Sequence, residues 1–532
     1  GNYKVNITVP EDHIVAATGE CKNLATVLTP AQMARWQQAQ TATEPIEVVT
    51  LAEAIENAKD KSKGKKTWSY EAINVRDFAF NSSRRLVWDA MAADVEGKKV
   101  MCMSYYGKEA YPIYKKYSTK AVYHTIKTYS KFTIAYPYPV AISVEASIGM
   151  EYPMIAMNYG RAEKDGTYSE ATKYGAIGVI IHEVGHNFFP MIINSDERQY
   201  WWMDEGLNTF VQFLTEQEFD NNYPSRRGPA HLIADYMKLP KDMLEPIMTK
   251  GDNVASVGSN AYAKAATGLN ILRETIMGRE LFDYAFKEYA RRWAFKHPTP
   301  NDLFRTMEDA SAVDLDWFWR GWYFGTDPVD IAIDSVKWFR LDANKNLASM
   351  KAPEFETISK VRNRDDKNLI YYTNTDTTLR DYYYYNRAAD AKMFQDMAQQ
   401  QLDAQKDNAN YAAWEDKHFY ELQFSNKGGM VMPIIVEWTF TDGSKEVDRI
   451  PVGIWKLNEQ KVTKLFAKNK EVVGIKLDPM RETADINESN GMWPVREMPS
   501  RFQLFKGAST ISGLGAPRGG GPSINAMQKA KK

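Results

Sequence analysis

At 532 residues the chain is too long for one hydrophobic core and implies several domains. Its 67 Lys+Arg against 68 Asp+Glu leave a net charge of -1, so no global field draws it to nucleic acid or to a membrane surface. No apolar run reaches the roughly 18 residues of a membrane span, and two cysteines, Cys21 and Cys102, cannot build a disulfide framework.

The chain opens GNYKVNITVP, with no initiator Met and no signal-like segment, in the middle of a strand pattern. A processed or truncated product is expected. The compartment stays open, with periplasmic or secreted ahead of cytoplasmic. Residues 3–9 alternate, with Tyr3, Val5, Ile7 and Val9 on one face of a half-buried strand that ends at Pro10. A short helix follows, with Thr29 as cap and Pro30 at its first position. KSKGKK at 61–66 reads as a solvated basic loop, 68–80 as strand, and the text from residue 82 as helix. Ahead of residue 147 come aromatics mixed with short strand-like runs, then the stretch Ser147-Ile148-Gly149-Met150-Glu151-Tyr152-Pro153.

The chemistry concentrates between residues 181 and 207. His182 and His186 lie four apart, so on a helix they project from one face and can chelate a metal without distorting the backbone. Glu183 is offset around that helix, where it can reach a metal-activated water without binding the metal itself. With eighteen residues between, His186 is followed by Glu205, at the head of a second helical pattern of Leu207, Phe210, Val211 and Leu214. Two imidazoles and one carboxylate with a fourth position left open form a catalytic rather than a structural zinc set.

Further on, NAYAK at 260–264 opens another helix, and Lys264 is expected to be structural. Trp317, Phe318, Trp319 and Trp322 have helical spacing and read as core, and His297 as a loop residue. From residue 331 the text turns to strands, with 382–385 (four Tyr) as an aromatic strand covered on both faces. The stretch 393–407 reads as a short amphipathic helix. A hairpin turns at Asp442-Gly443, and KEVVGIKLDP supplies another strand. The last residues are Gly-rich and basic, a flexible tail.

HEVGH, eighteen residues, then Glu inside WMDEGL resembles the zinc-dependent aminopeptidase N family, gluzincins related to leukotriene hydrolase. The resemblance extends to GMEYP, a form of the family's GxMEN signature, and to Tyr262-x-Lys264. It implies an α+β multidomain fold. In it, 1–85 would be the end of an N-terminal β domain and 86–330 a thermolysin-like, mainly α catalytic domain. A β-sandwich-like domain at 331–505 and a tail at 506–532 would follow.

It also implies one Zn2+ on His182, His186 and Glu205, with Glu183 as general base and Tyr262 as oxyanion donor. Gly149, Met150 and Glu151 would bind the substrate, Glu151 through its α-amine. The implied activity is removal of N-terminal residues from peptides with a free N-terminus. A second amine-binding residue, from a part of the same protein before Gly1, would be expected as well. Departures from the family pattern are Tyr152 and Pro153, HNFFP after the second His, and Gln212 where an acid is common. A zinc endopeptidase, an epoxide hydrolase and a non-catalytic interaction scaffold stand as alternatives.

Overall fold

The computed structural model describes residues 1–59, 61–341, 356–386, 416–495 and 525–530, with Asp396, Met397, Gln400 and Trp414. Strand Tyr3–Pro10 forms as the alternation demands, Ile7 and Val9 being buried, and pairs antiparallel with Lys65–Ala72. Thr29 caps helix Pro30–Ala39 in a capping box with Gln32. The basic loop is shorter than the sequence suggests. Lys65 and Lys66 already belong to the strand, where pairing with Val9 and Pro10 extends it, and the Lys66 ammonium donates to the Val27 carbonyl at 3.0 Å.

The helical reading from residue 82 onward is corrected. Val87–Val95 and Lys98–Tyr106 form an antiparallel hairpin. Its two-residue turn has φ of 51° at Glu96 and 81° at Gly97, and the Gly97 N–H donates to Asp94 Oδ1 at 2.8 Å. Both strands are buried on both faces, so neither shows the period-2 pattern that would have revealed them.

The hairpin lies inside a six-stranded sheet. Its order is Met150–Tyr152, Ile155–Asn158, Val140–Glu145, Lys98–Tyr106, Val87–Val95, Ile46–Val49. Met150–Tyr152 is the edge strand, antiparallel to its neighbour with Glu151 opposite Ala156. The 22-residue helix Tyr111–Phe132 packs on the sheet and on the two helices that follow it, Glu170–Gly185 and Trp201–Phe219. Phe318, Trp319 and Trp322 are core as read.

Beyond residue 331, two sheets face each other. One has the order Ile331–Arg340, His418–Asn426, Lys461–Lys468. The other runs Lys445–Ile450, Ile434–Phe440, Val472–Leu477, Met492–Trp493. The Trp438 ring joins them, 5.9 Å from Tyr420 and 4.9 Å from Phe466 between centroids. Gly443, with φ of 79°, sits in the expected hairpin turn.

Tyr382–Tyr385 is not a covered strand. Asp381 accepts from the Tyr384 N–H and caps a helical turn, and Tyr382, Tyr383 and Tyr385 are 65%, 59% and 68% exposed. The expected helix at 393–407 lies outside the described residues apart from three of them, and the tail outside all but 525–530. There Asn525 donates to Thr167 Oγ1 at 3.3 Å. The whole is a multidomain α+β chain with several sheets and many helices. Among the described residues no helix is long and apolar enough to cross a membrane.

Candidate active site

Helix Glu170–Gly185 is capped by Ser169, whose hydroxyl accepts from the Thr172 N–H, and it is buried on most sides through Ile177, Ile180, Ile181 and Val184. A helix so enclosed can carry polar groups only where they find partners, and its last turns carry His182, Glu183 and His186. His182 Nδ1 meets Gln212 Oε1 at 2.8 Å, and His186 Nδ1 meets the Phe189 carbonyl at 2.8 Å and Asp204 Oδ1 at 2.9 Å. Acceptors at both Nδ1 atoms put the ring protons there and leave both Nε2 lone pairs free.

Those lone pairs converge. The two Nε2 atoms stand 3.1 Å apart, and Glu205 Oε2 lies 3.1 Å from that of His182 and 3.4 Å from that of His186. Three acceptors facing one another repel unless a cation lies among them. Ligand atoms each about 2.0–2.2 Å from a tetrahedral centre stand about 3.3–3.6 Å apart, close to the spacing found. The residues therefore fit a divalent metal: His182, His186 and Glu205 could hold one.

The supports beneath them come from other helices. Asn208, on Trp201–Phe219, donates from Nδ2 to the His182 carbonyl at 2.9 Å and accepts at Oδ1 from the Tyr129 hydroxyl at 2.8 Å. Gly206 lets that helix approach the segment bearing Tyr262, since a Cβ there would stand 2.5 Å from Ala265 Cβ and 2.8 Å from the Ala261 carbonyl. The Tyr262 ring then stacks on His182, with 5.6 Å between centroids and 19° between planes. Burial, and the Glu205 carboxylate that accepts from its hydroxyl, raise the Tyr262 pKa and keep the phenol a donor.

Glu183 is 8% exposed, and burial raises its pKa against the lowering influence of His182 and His186. Gly149 approaches it so closely that a Cβ would fall 2.3 Å from Glu183 Oε1. Glu151 brings its carboxylate to within 4.8 Å of a ring nitrogen of His186 and of the Asp204 carboxylate. Burial opposes charge on His186, but Asp204 and Glu205 outweigh it and raise its pKa: the site favours positive charge, which a metal cation would supply in place of a proton on Nε2. Burial opposes charge on Glu205 too, and the two imidazoles overcome that and lower its pKa.

His182, Glu183, His186, Glu205, Tyr262, Gly149 and Glu151 thus lie around one point, and Met150 is on the edge strand between the last two. The sequence did not reveal the supporting Tyr129, Asn208 and Asp204, nor Arg227, whose guanidinium lies 4.4 Å over the Tyr262 ring. Gln212 had drawn notice only as a departure. Its place seven residues after Glu205, two helical turns on and on the same face, was the available signal.

Residues 117–322, which hold every one of these groups, match the model of the Peptidase family M1 domain. This segment is an M1 peptidase domain. The chain is 26% identical over 181 residues to a glutamyl aminopeptidase of Sus scrofa, covering 32% of this chain and 19% of that protein. It is 23% identical over 246 residues to aminopeptidase M1-A of Oryza sativa subsp. japonica, covering 43% and 27%. These matches span less than a third of the curated relatives' length. A solved structure of Legionella pneumophila aminopeptidase A in complex with aspartic acid aligns over 91% of this chain and 44% of its own. The TM-score is 0.55 at 11% identity, a likeness of fold. The M1 domain carries both histidines, Glu183, Glu205 and Tyr262, with Met150 and Glu151 on its edge strand and Gly149 just before it.

Proposed function

We propose that the chain is a zinc metallo-aminopeptidase that removes N-terminal residues from peptides with a free N-terminus. The observation that carries this reading is the convergence of two imidazole Nε2 atoms and the Glu205 carboxylate, with the buried carboxylate of Glu183 and the half-buried carboxylate of Glu151 beside them. Zinc held by His182, His186 and Glu205 would supply Lewis acidity to the scissile carbonyl and to a water. Glu183 accepts the proton from the attacking water at its carboxylate and delivers it to the departing amine nitrogen. The Tyr262 hydroxyl donates to the oxygen of the carbonyl as negative charge develops on it.

Glu151 accepts from the substrate's α-ammonium, which fixes the register at one residue from the end. Gly149 and Met150, on the same edge, leave room for that first residue. The two facing sheets after residue 331 support the reading of this part as a β-sandwich beside a thermolysin-like domain, after a β-rich N-terminal part.

The test is hydrolysis of aminoacyl-amidocoumarins, with a chelator and with Glu151→Ala, next to a peptide whose amine is acetylated. Release that needs the metal, falls on Glu151→Ala and spares the acetylated peptide supports the reading. Equal cleavage of the acetylated peptide would replace it with an endopeptidase.

A further inference from the structure

A cavity of about 440 Å³ is lined by His182, Glu183 and Tyr262 together with Arg226 and Arg227. Gly149, Met150 and Glu151 are not part of its lining, so its walls touch the reacting centre but not the groups assigned to the α-amine. In an aminopeptidase this is where the residue after the cut must go. The inference therefore rests on the reading above and deepens it.

Three planar groups lead into the cavity. The His182 ring stacks on Tyr262, and the Arg227 guanidinium also lies over the Tyr262 ring, 4.4 Å from its centroid. Arg227 is largely withdrawn from water, and among the described residues no carboxylate stands within ion-pair distance of it. Burial of such a cation costs free energy that a hydrogen-bonded anion would offset. Of the acids whose charge reaches it, Glu205 faces the two histidines and Glu216 is held elsewhere, accepting from Gln212 Nε2 at 2.8 Å and from Ser225 Oγ at 2.5 Å. Arg226, exposed, adds a second guanidinium at the mouth.

We propose that Arg227, assisted by Arg226, binds a carboxylate carried by the residue immediately after the scissile bond. A guanidinium presents paired N–H donors to a planar carboxylate, and the stack on Tyr262 fixes the plane of that fork. The carboxylate is either an acidic side chain at the second position or the C-terminus of a dipeptide.

The experiment measures binding to the zinc-loaded Glu183→Gln protein by calorimetry, so that turnover plays no part. The probes are Ala-Ala-amide (no carboxylate), Ala-Glu-amide (side chain only), Ala-Ala (terminus only) and Ala-Lys-amide. A carboxylate on a guanidinium should tighten binding about tenfold or more over Ala-Ala-amide. Whichever of Ala-Glu-amide and Ala-Ala shows the gain identifies the source. The gain should vanish on Arg227→Gln and survive in part on Arg227→Lys. If Arg227→Gln does not fold, Arg226→Gln and a rise in salt should each cut the gain. Carboxylate probes that bind no tighter than Ala-Ala-amide, or a gain indifferent to both arginines, would overturn the proposal. Hydrolysis of Ala-Ala-amide by the unmodified protein separates the two ideas. Cleavage without any carboxylate gain removes this inference alone, and an Arg227-dependent gain without cleavage removes the aminopeptidase reading alone.

Discussion

Gly149 and Glu183 touch across the cleft: the glycine's Cα faces the carboxylate so directly that a methyl group would intrude to 2.3 Å from Oε1. Gly149 therefore guards the place of the group assigned to proton transfer. Gly149→Ala has no left-handed backbone to contend with, so its cost should fall on Glu183 and not on folding. The expected result is a drop in kcat of about 10²-fold, the lower end of a general base's worth, with Tm nearly unchanged. Kinetics and a melting curve on the same preparation check it.

Gln212 holds the His182 ring from behind at 2.8 Å. Gln212→Ala should weaken metal binding about 10- to 100-fold, measured by competition with a coloured chelator. Gln212→Glu keeps an acceptor at the same place and should retain most of the affinity.

Asp89 offers a pH test away from the metal. It is fully buried, and burial pushes its pKa up to about 6 although Tyr106 donates to it at 2.6 Å and Lys115 approaches to 3.4 Å. A carboxyl with a folded pKa above its unfolded value disfavours the folded state once ionised. Its contribution to stability therefore declines as pH rises from about 4 to 6 and stays low above that. The shift of about 2 units corresponds to about 3 kcal/mol. Asp89→Asn should raise Tm at pH 8 and give no gain near pH 4, as a thermal-shift series would read.

Asn208 ties the Tyr129 hydroxyl to the His182 carbonyl inside the core. Asn208→Ala removes one of two bonds from each buried group, since the Tyr129 hydroxyl keeps the Asn208 backbone carbonyl and the His182 carbonyl keeps the His186 N–H. It should cost about 1–3 kcal/mol, seen in denaturant unfolding.

What the sequence disclosed and what it hid follow one rule. His182, Glu183 and His186 were legible because a helix turns local spacing into shared direction. Glu205 was legible as a carboxylate at the head of another apolar-periodic helix. Tyr129, Asn208 and Arg227 were hidden because their partners lie on other elements, which nothing in the local text encodes. The strands at 87–106 were hidden by burial on both faces. The four tyrosines at 382–385 misled in the opposite way, since aromatic residues suggest a strand while one aspartate beside them caps a helical turn.

The bonds that aim the two histidines run from protein to protein: Gln212 to one ring, Phe189 to the other, Asn208 to the backbone beneath. A socket braced in this way has its ligands held from the protein's side, so little of the binding free energy goes to ordering the chain. Chelation should then lower Tm only by mass action, and reloading should restore the melting curve without a refolding step. Such a socket also discriminates poorly among divalent ions that accept nitrogen and oxygen donors, which bind in the general order of the first transition row. Which ion this chain carries is then decided less by its own shape than by the metals the surrounding compartment makes available.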